Sequence, residues 1–206
     1  MREKALFVQI FAIVIFMLCN NSFPQDSPIG KGSKIISGNF SFSSKGGELN
    51  ENNDGDRLFT IEFDPAVNFF ISPGLAIGGK LLFSRSSQGD ENSTTWGIGP
   101  EINYFFGSSN DHPQGKGSTY PFIQAGYYYM SSVHNVRIFY GGTTDITQIE
   151  TKIRFGAGVA HMISSAVAIN ILAVYDIDSD KIKDHEELPD SGNQYGLYAG
   201  LLIFLY

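Results

Sequence analysis

The sequence predicts an all-β chain that closes into an eight-stranded antiparallel up-and-down transmembrane β-barrel. Three observations carry that reading: an apolar leader at the N-terminus, hydropathy that alternates with a period of two in one run after another, and an aromatic final strand ending at Tyr206.

Composition narrows the function classes first. A chain of 206 residues is one domain's worth. Its formal charge of -7 excludes a phosphate-binding surface, so no nucleic-acid partner is expected. Aromatic residues make up 14% and charged residues only 17%, a mixture that suits strands with one apolar face.

The leader consists of Arg2 and Lys4, an apolar run over 5–18 broken only by Gln9, and polar Asn20, Asn21 and Ser22. This is the pattern of a cleaved secretory signal peptide, assigned to 1–22. At about fourteen residues the run is shorter than the ~20 an α-helical span needs. The one cysteine, Cys19, falls inside the leader. Leu18 stands where a lipoprotein leader needs a small residue, so Cys19 is not read as an acylation site. The mature chain is therefore expected to lack a thiol for disulfides, metals or nucleophilic chemistry. Residues 23–32 form a short N-terminal segment before the barrel, assigned to 33–206.

From residue 33 onward the period is two. Phe59, Ile61, Phe63, Val67 and Phe69 share one face, opposed to Thr60, Glu62, Asp64 and Asn68. Trp96, Ile98, Ile102, Tyr104 and Phe106 repeat the pattern against Glu101 and Asn103, and Ile149, Ile153, Phe155 and Val159 repeat it against Glu150, Lys152 and Arg154. Eight strands result, at 33–43, 57–70, 75–85, 94–106, 120–132, 147–162, 167–177 and 193–206. Each reaches the ~10 residues of a tilted membrane strand. Pro65 and Pro100 interrupt two of them at matching positions, where a tolerated bulge is expected.

The connections set the topology. Links after even strands are Ser72-Pro73-Gly74, a longer segment over 107–119, and Ser164-Ser165, as expected of periplasmic turns. Links after odd strands are polar and largely acidic, giving extracellular loops at 44–56, 86–93, 133–145 and 178–190. A soluble barrel would show the same alternation, so the inside-out version rests on the leader, on aromatic residues at strand ends, and on charges suited to a lumen. Glu62, Asp64, Lys80, Glu101, Lys152, Arg154 and Asp176 form that lumen set, expected to pair as an ion network in a barrel whose interior side chains nearly fill it.

The ordered segments SKIISGNFSFSS, FDPAVNFFISPGLAIGGKLLFSRSS, TTWGIGPEINYFF, YPFIQAGYYY, IRFGAGVAHMISSAVAINILAVYD and QYGLYAGLLIFLY resemble the outer-membrane β-barrel domain family. That family includes small porin-like opacity proteins and is similar in architecture to the membrane domain of outer-membrane protein A. The resemblance implies an outer-membrane location, contact with outer-membrane lipid, and a monomer. It also implies that the barrel-assembly machinery reads the last strand, with Tyr198, Leu202, Phe204 and Tyr206 on the recognised face. The opposite face, Leu197, Ala199, Leu201, Ile203 and Leu205, is apolar too. If the first set faces lipid, the second must pack an apolar plug at the base.

Residues that could carry chemistry are few. No phosphate-cradling loop, thiolate site or nucleophile elbow occurs, so no catalytic residue and no cofactor is assigned. The in-strand glycines of Gly97-Ile98-Gly99 and Gly156-Ala157-Gly158 are read as aids to strand bending. Asp176, Asp178, Asp180, Asp184 and Glu187 match positions 1, 3, 5, 9 and 12 of a calcium loop, but Lys181 holds the place that needs glycine. Acids at period two also arise from a lumen face that continues above the membrane. Ser131, Ser132 and His134 could place a hydrolase pair near the outer end of the fifth strand, without an evident orienting acid or oxyanion site. His161 shares the register of Phe69 and Tyr104 and is read as interfacial, and His112 and His185 as solvated. The expected function is structural or loop-mediated interaction with an extracellular partner of unknown kind. A narrow ion or solute channel and an outer-leaflet lipid enzyme are the alternatives.

Overall fold

Along most strands side chains of opposite character sort to opposite faces, and the sheet that results has no edge along its lower half. The computed structural model describes residues 27–45, 57–89, 91–107, 116–137, 143–182 and 190–206. The leader, including Cys19, lies outside them, as do His112 and His185. Eight strands follow in chain order: β1 (Lys34–Lys45), β2 (Leu58–Ser72), β3 (Leu75–Gln88), β4 (Glu91–Phe105), β5 (Thr119–Arg137), β6 (Thr143–Met162), β7 (Val167–Ile182) and β8 (Asp190–Leu205). Each pairs antiparallel with its neighbours in sequence, and β1 pairs with β8 to close the barrel. The fold is an all-β, eight-stranded antiparallel up-and-down barrel.

Turn chemistry fixes the base. Gly74 sits at φ 78° in the β2–β3 turn, a conformation costly for a residue with a Cβ. The β6–β7 turn is closed by Ser164, whose hydroxyl accepts from the Val167 amide at 3.0 Å. At the opposite end, the rim, the strands run further than hydropathy indicated. Residues 86–88 and 91–93 are strand, leaving a tight link in place of the expected 86–93 loop; β5 and β6 pair as far as Arg137 and Thr143, and β7 continues to Ile182. Once a hairpin is registered, backbone ladders persist through polar residues, so alternation of hydropathy understates strand length.

The prolines need no bulge. Across Pro65, β2 and β3 keep one register, with Phe63 opposite Phe83 and Ala66 opposite Lys80. Across Pro100, β4 and β5 likewise keep one register from Ile98 opposite Tyr129 to Glu101 opposite Gly126. Each proline lacks a donor toward one neighbour only, and the ladder on its other side, Pro65 with Gly38 and Pro100 with Gly79, is unbroken.

The outer wall is apolar. Phe63, Leu81, Trp96, Ile123, Phe155 and Ile171 are among the large side chains exposed there. The inner face is layered from base to rim. Its base is a cluster that includes Ile35, Phe70, Phe105, Phe122, Leu172, Leu202 and Phe204. Phe105 stacks on Phe122 at 5.0 Å and meets Phe204 edge-on at 6.4 Å. Beneath the cluster, the turn at 27–33 closes the base. The Ile29 carbonyl accepts from Gly74 at 2.9 Å, Gly32 donates to Phe70 at 2.8 Å, and the Ile29 side chain is fully buried.

This layering decides the facing of the last strand, which its two apolar faces left open in the sequence, and decides it against Leu202 and Phe204 on the lipid side. Tyr198, Leu202 and Phe204 point inward, whereas Leu197, Leu201, Ile203 and Leu205 lie on the outer wall. Register is the cause. Phe204 is opposite Ile35, Leu202 opposite Ser37 and Gly200 opposite Asn39, and directly opposed residues share a face. The base is apolar, but its plug is built from Phe204 and Leu202, with Leu205, Ile203 and Leu201 outside. Tyr206, partly buried against the plug, donates to the Ser165 carbonyl at 3.1 Å.

Candidate functional site

The lumen above the apolar base is the candidate site, because all seven charges singled out in the sequence point into it. They form two clusters. In the lower one, Lys80 of β3 meets Glu101 of β4 at 2.8 Å, both almost fully buried. The Glu101 carboxylate also accepts from Asn68 at 2.6 Å, Asn103 at 3.2 Å, Gln124 at 2.5 Å and Tyr128 at 3.3 Å. A buried carboxylate surrounded by donors on four strands avoids the desolvation cost of an unpaired ion.

The upper cluster is centred on Arg154 of β6. Its Nε and Nη2 donate to the two carboxylate oxygens of Asp176 on β7, each at 2.8 Å, the bidentate geometry that guanidinium favours. Nη1 crosses the lumen to Asp64 on β2 at 2.8 Å. The guanidinium also lies over the Tyr198 ring, 4.8 Å from its centroid. Lys152, one inward step toward the rim, reaches Asp176 at 3.5 Å and Asp178 at 3.6 Å. Glu62 accepts from Tyr198 at 2.7 Å and from Ser41 at 2.8 Å, and has no cationic partner among the described residues.

Glycines make room for the large inward side chains. A Cβ at Gly126 would collide with the ring and hydroxyl of Tyr128, two residues along the same strand, and one at Gly99 with the Tyr127 carbonyl oxygen. The glycines therefore admit neighbouring groups as well as easing strand curvature. Gly126→Ala is expected to displace Tyr128 from Glu101 and cost about 1–3 kcal/mol. Denaturant unfolding of the refolded barrel, together with the near-ultraviolet tyrosine dichroism, checks this.

Space in the lumen is divided unequally. Below the Arg154 cluster lies a cavity of about 20 Å³, beside Asn68, Glu101, Gln124 and Asn170. That is room for about one water. Above it a cavity of about 290 Å³ reaches the rim between Thr60, Glu62, Glu150, Lys152, Asp178 and Gln194. In its wall, Ser132 bonds to Thr95 at 2.7 Å and donates to Glu150.

The structure separates the other expected groups. Asp176 and Asp178 are consecutive inward positions of β7, paired to β6 and β8, and their carboxylates engage Arg154 and Lys152. A calcium loop needs a sharp turn where residues 176–182 are extended strand, so that geometry is absent here. Asp180 lies on the same strand, while Asp184 and Glu187 lie outside the described residues. No group of three or more potential metal ligands occurs among the described residues. The hydroxyl of Ser132 is held by Thr95 and Glu150, and no hydrogen bond joins it to His134; Ser131 alternates to the outer face. His161 is on the outer wall at the base, with Nδ1 at 2.9 Å from the Thr119 hydroxyl.

No family model and no curated protein matches this chain. Solved structures similar to it include the following two. The N-terminal β-barrel domain of Pseudomonas aeruginosa OprF has 13% identity and a TM-score of 0.43, covering 85% of this chain and 98% of that one. Neisserial surface protein A (NspA) has 14% identity and a TM-score of 0.46, covering 84% of this chain and 97% of that one. The fold assignment rests on this chain's own hydrogen-bond ladder.

Sequence reasoning named the charges but missed what completes the site. The amide layer of Asn39, Asn68, Asn103, Gln124 and Asn170 was legible as inward polar positions once the register is known. Tyr128 and Tyr198 were not, because an inward tyrosine and an interfacial tyrosine look alike in sequence. The turn at 27–33 carried one signal, Ile29 between Pro28 and Gly30.

Proposed function

We propose that the chain is an integral outer-membrane barrel that serves as a sealed structural and surface-interaction element. The observation that carries this is the inverted partition of the barrel: aliphatic and aromatic side chains on the outside, ion pairs and amides on the inside. In water that arrangement would expose a continuous apolar belt far larger than the few hundred Å² soluble monomers tolerate. On β8 the outward apolar stretch runs from Tyr195 to Leu205. At a rise of about 3.4 Å and a tilt of about 40°, that is about 26 Å, the height of a membrane-barrel apolar band. The base, with its tight β2–β3 and β6–β7 turns, then faces the periplasm and the rim faces outward. Assembly machinery would meet Leu201, Ile203 and Leu205 as the lipid side of the last strand, with Leu202 and Phe204 turned to the plug.

The sealed interior favours this role over conduction. Any path must pass the Arg154 and Glu101 clusters, beside the second of which lies a cavity of about 20 Å³, and then the apolar base. The bonds that hold Ser132 away from His134 offer no support for a lipid hydrolase. Two measurements test the reading. The refolded protein is expected to float with liposomes after a carbonate wash, and planar bilayers containing it are expected to pass no more current than protein-free bilayers. Failure to float would remove the membrane role; discrete, stable conductance steps would replace the sealed barrel by a channel.

A further inference from the structure

The ladder that closes the barrel stops halfway up. β1 and β8 pair from Lys34 opposite Leu205 to Phe40 opposite Ala199. Above that point β1 continues to Lys45 against β2 alone, and β8 extends back to Asp190 against β7 alone. Ser41 and Tyr198, or Phe42 and Leu197, would be the next partners in register, and they are not paired. Exposure reports the same gap independently. Tyr195 and Leu197, on the unpaired part of β8, are 82% and 71% exposed, whereas no other large apolar side chain among the described residues exceeds 57%. A missing neighbour strand accounts for the difference.

The gap lies within the apolar band, in its upper third, flanked by Phe42 on one side and Leu197 on the other. Unpaired backbone N–H and C=O groups in hydrocarbon cost several kcal/mol each, so a polar group must reach them through the gap. On the lumen side the first residues met are Ser41, Tyr198, Glu62 and Gln194, and behind them is the cavity of about 290 Å³. Its charge is not balanced. Arg154 is engaged by Asp64 and Asp176, and Lys152 by Asp176 and Asp178. Among the described residues, Glu62 and Glu150 accept only from hydroxyl groups.

We propose that the β1–β8 gap is a lateral port for a membrane amphiphile with a cationic amino head, the head resting in the cavity beside Glu62 and the apolar tail passing between Phe42 and Leu197 into the outer leaflet. The inference rests on the outer-membrane reading. Charge complementarity selects the head, because two carboxylates that have no cationic partner among the described residues, Glu62 and Glu150, face the cavity. The apolar flanks select the tail. An anionic head would meet Glu62 and Glu150 in a low-dielectric wall and be repelled.

The test uses the full mature chain in phosphatidylcholine nanodiscs, with flotation as the control for insertion. Hydrogen exchange is expected to be at least tenfold faster at the amides of Phe42 and Leu197, which point into the gap, than at Ile36 and Ile203, which point into the paired part of the seam. Equal protection would mean a closed seam and overturn the port. Calorimetric titration, with empty discs subtracted, is expected to give saturable binding of dodecylammonium, none of dodecyl sulfate, and at least tenfold weaker binding of butylammonium. Glu62→Gln, which keeps the hydrogen-bonding shape, is expected to weaken dodecylammonium binding at least tenfold while the folded band on a gel is retained. Binding that is unsaturable, equal for the sulfate or the short amine, or unmoved by Glu62→Gln overturns the proposal. A chain that fails to float leaves the outer-membrane reading at fault, a result distinct from insertion without binding.

Discussion

Arg154→Ala is expected to destabilise the barrel by about 3–5 kcal/mol, the largest single loss available in the lumen. Asp64 has no other ion-pair partner among the described residues, and Asp176 keeps only Lys152 at 3.5 Å. Removing the guanidinium therefore leaves one buried carboxylate without a cation and a second with a long contact. The loss is a desolvation effect, which sets the sign of a second variant. Changing Arg154→Met, Asp64→Asn and Asp176→Asn together removes the charges as a set, and is expected to recover a large part of the stability. Urea titration of the barrel refolded into lipid vesicles measures both. A triple variant as unstable as Arg154→Ala would mean that the guanidinium acts through geometry and packing instead.

Phe204→Ala is expected to cost about 3–5 kcal/mol, and Leu205→Ala, one residue away, far less. Phe204 is 1% exposed and packs on Phe105 in the base, whereas Leu205 is 36% exposed on the outer wall. Truncating the first opens a cavity among Phe105, Leu202 and Ile35; truncating the second removes part of a side chain from lipid, which is as apolar as its neighbours. The same unfolding titration reads the contrast. Equal losses would place both residues in equivalent surroundings and undo the facing of the last strand. The pair also separates stability from assembly, since a recognition surface formed by the outer face should be affected by Leu205→Ala and not by Phe204→Ala.

That facing marks where the sequence stopped being informative. Periodicity identified every strand, because Phe59 to Phe69 or Trp96 to Phe106 can bury only one face. It also picked out the inward charges, since Glu62, Asp64, Lys152 and Arg154 fall on the faces opposite those apolar residues. It failed on β8, where both faces are apolar and only the pairing of Phe204 with Ile35 decides the direction. Pairing across 168 intervening positions leaves no trace in local hydropathy. The calcium spacing failed for a related reason: acids at period two are what an inward strand face looks like when it rises above an apolar band. The open seam was beyond reach altogether, being a property of where two distant strands part.

The strands differ in height, and the difference gives the rim a direction. β1 has 12 residues and β6 has 20, which at about 3.4 Å per residue and about 40° of tilt is about 31 Å against about 52 Å. The β5–β6 hairpin stands like a screen about 20 Å above the side where β1 ends. A large particle approaching from outside would touch this screen before any other described part of the rim. A small molecule already in the membrane plane would meet the lowest described part of the wall on the β1 side. One barrel thus presents two surfaces to two kinds of visitor, and an antibody or receptor could occupy the tall side without crowding the low one.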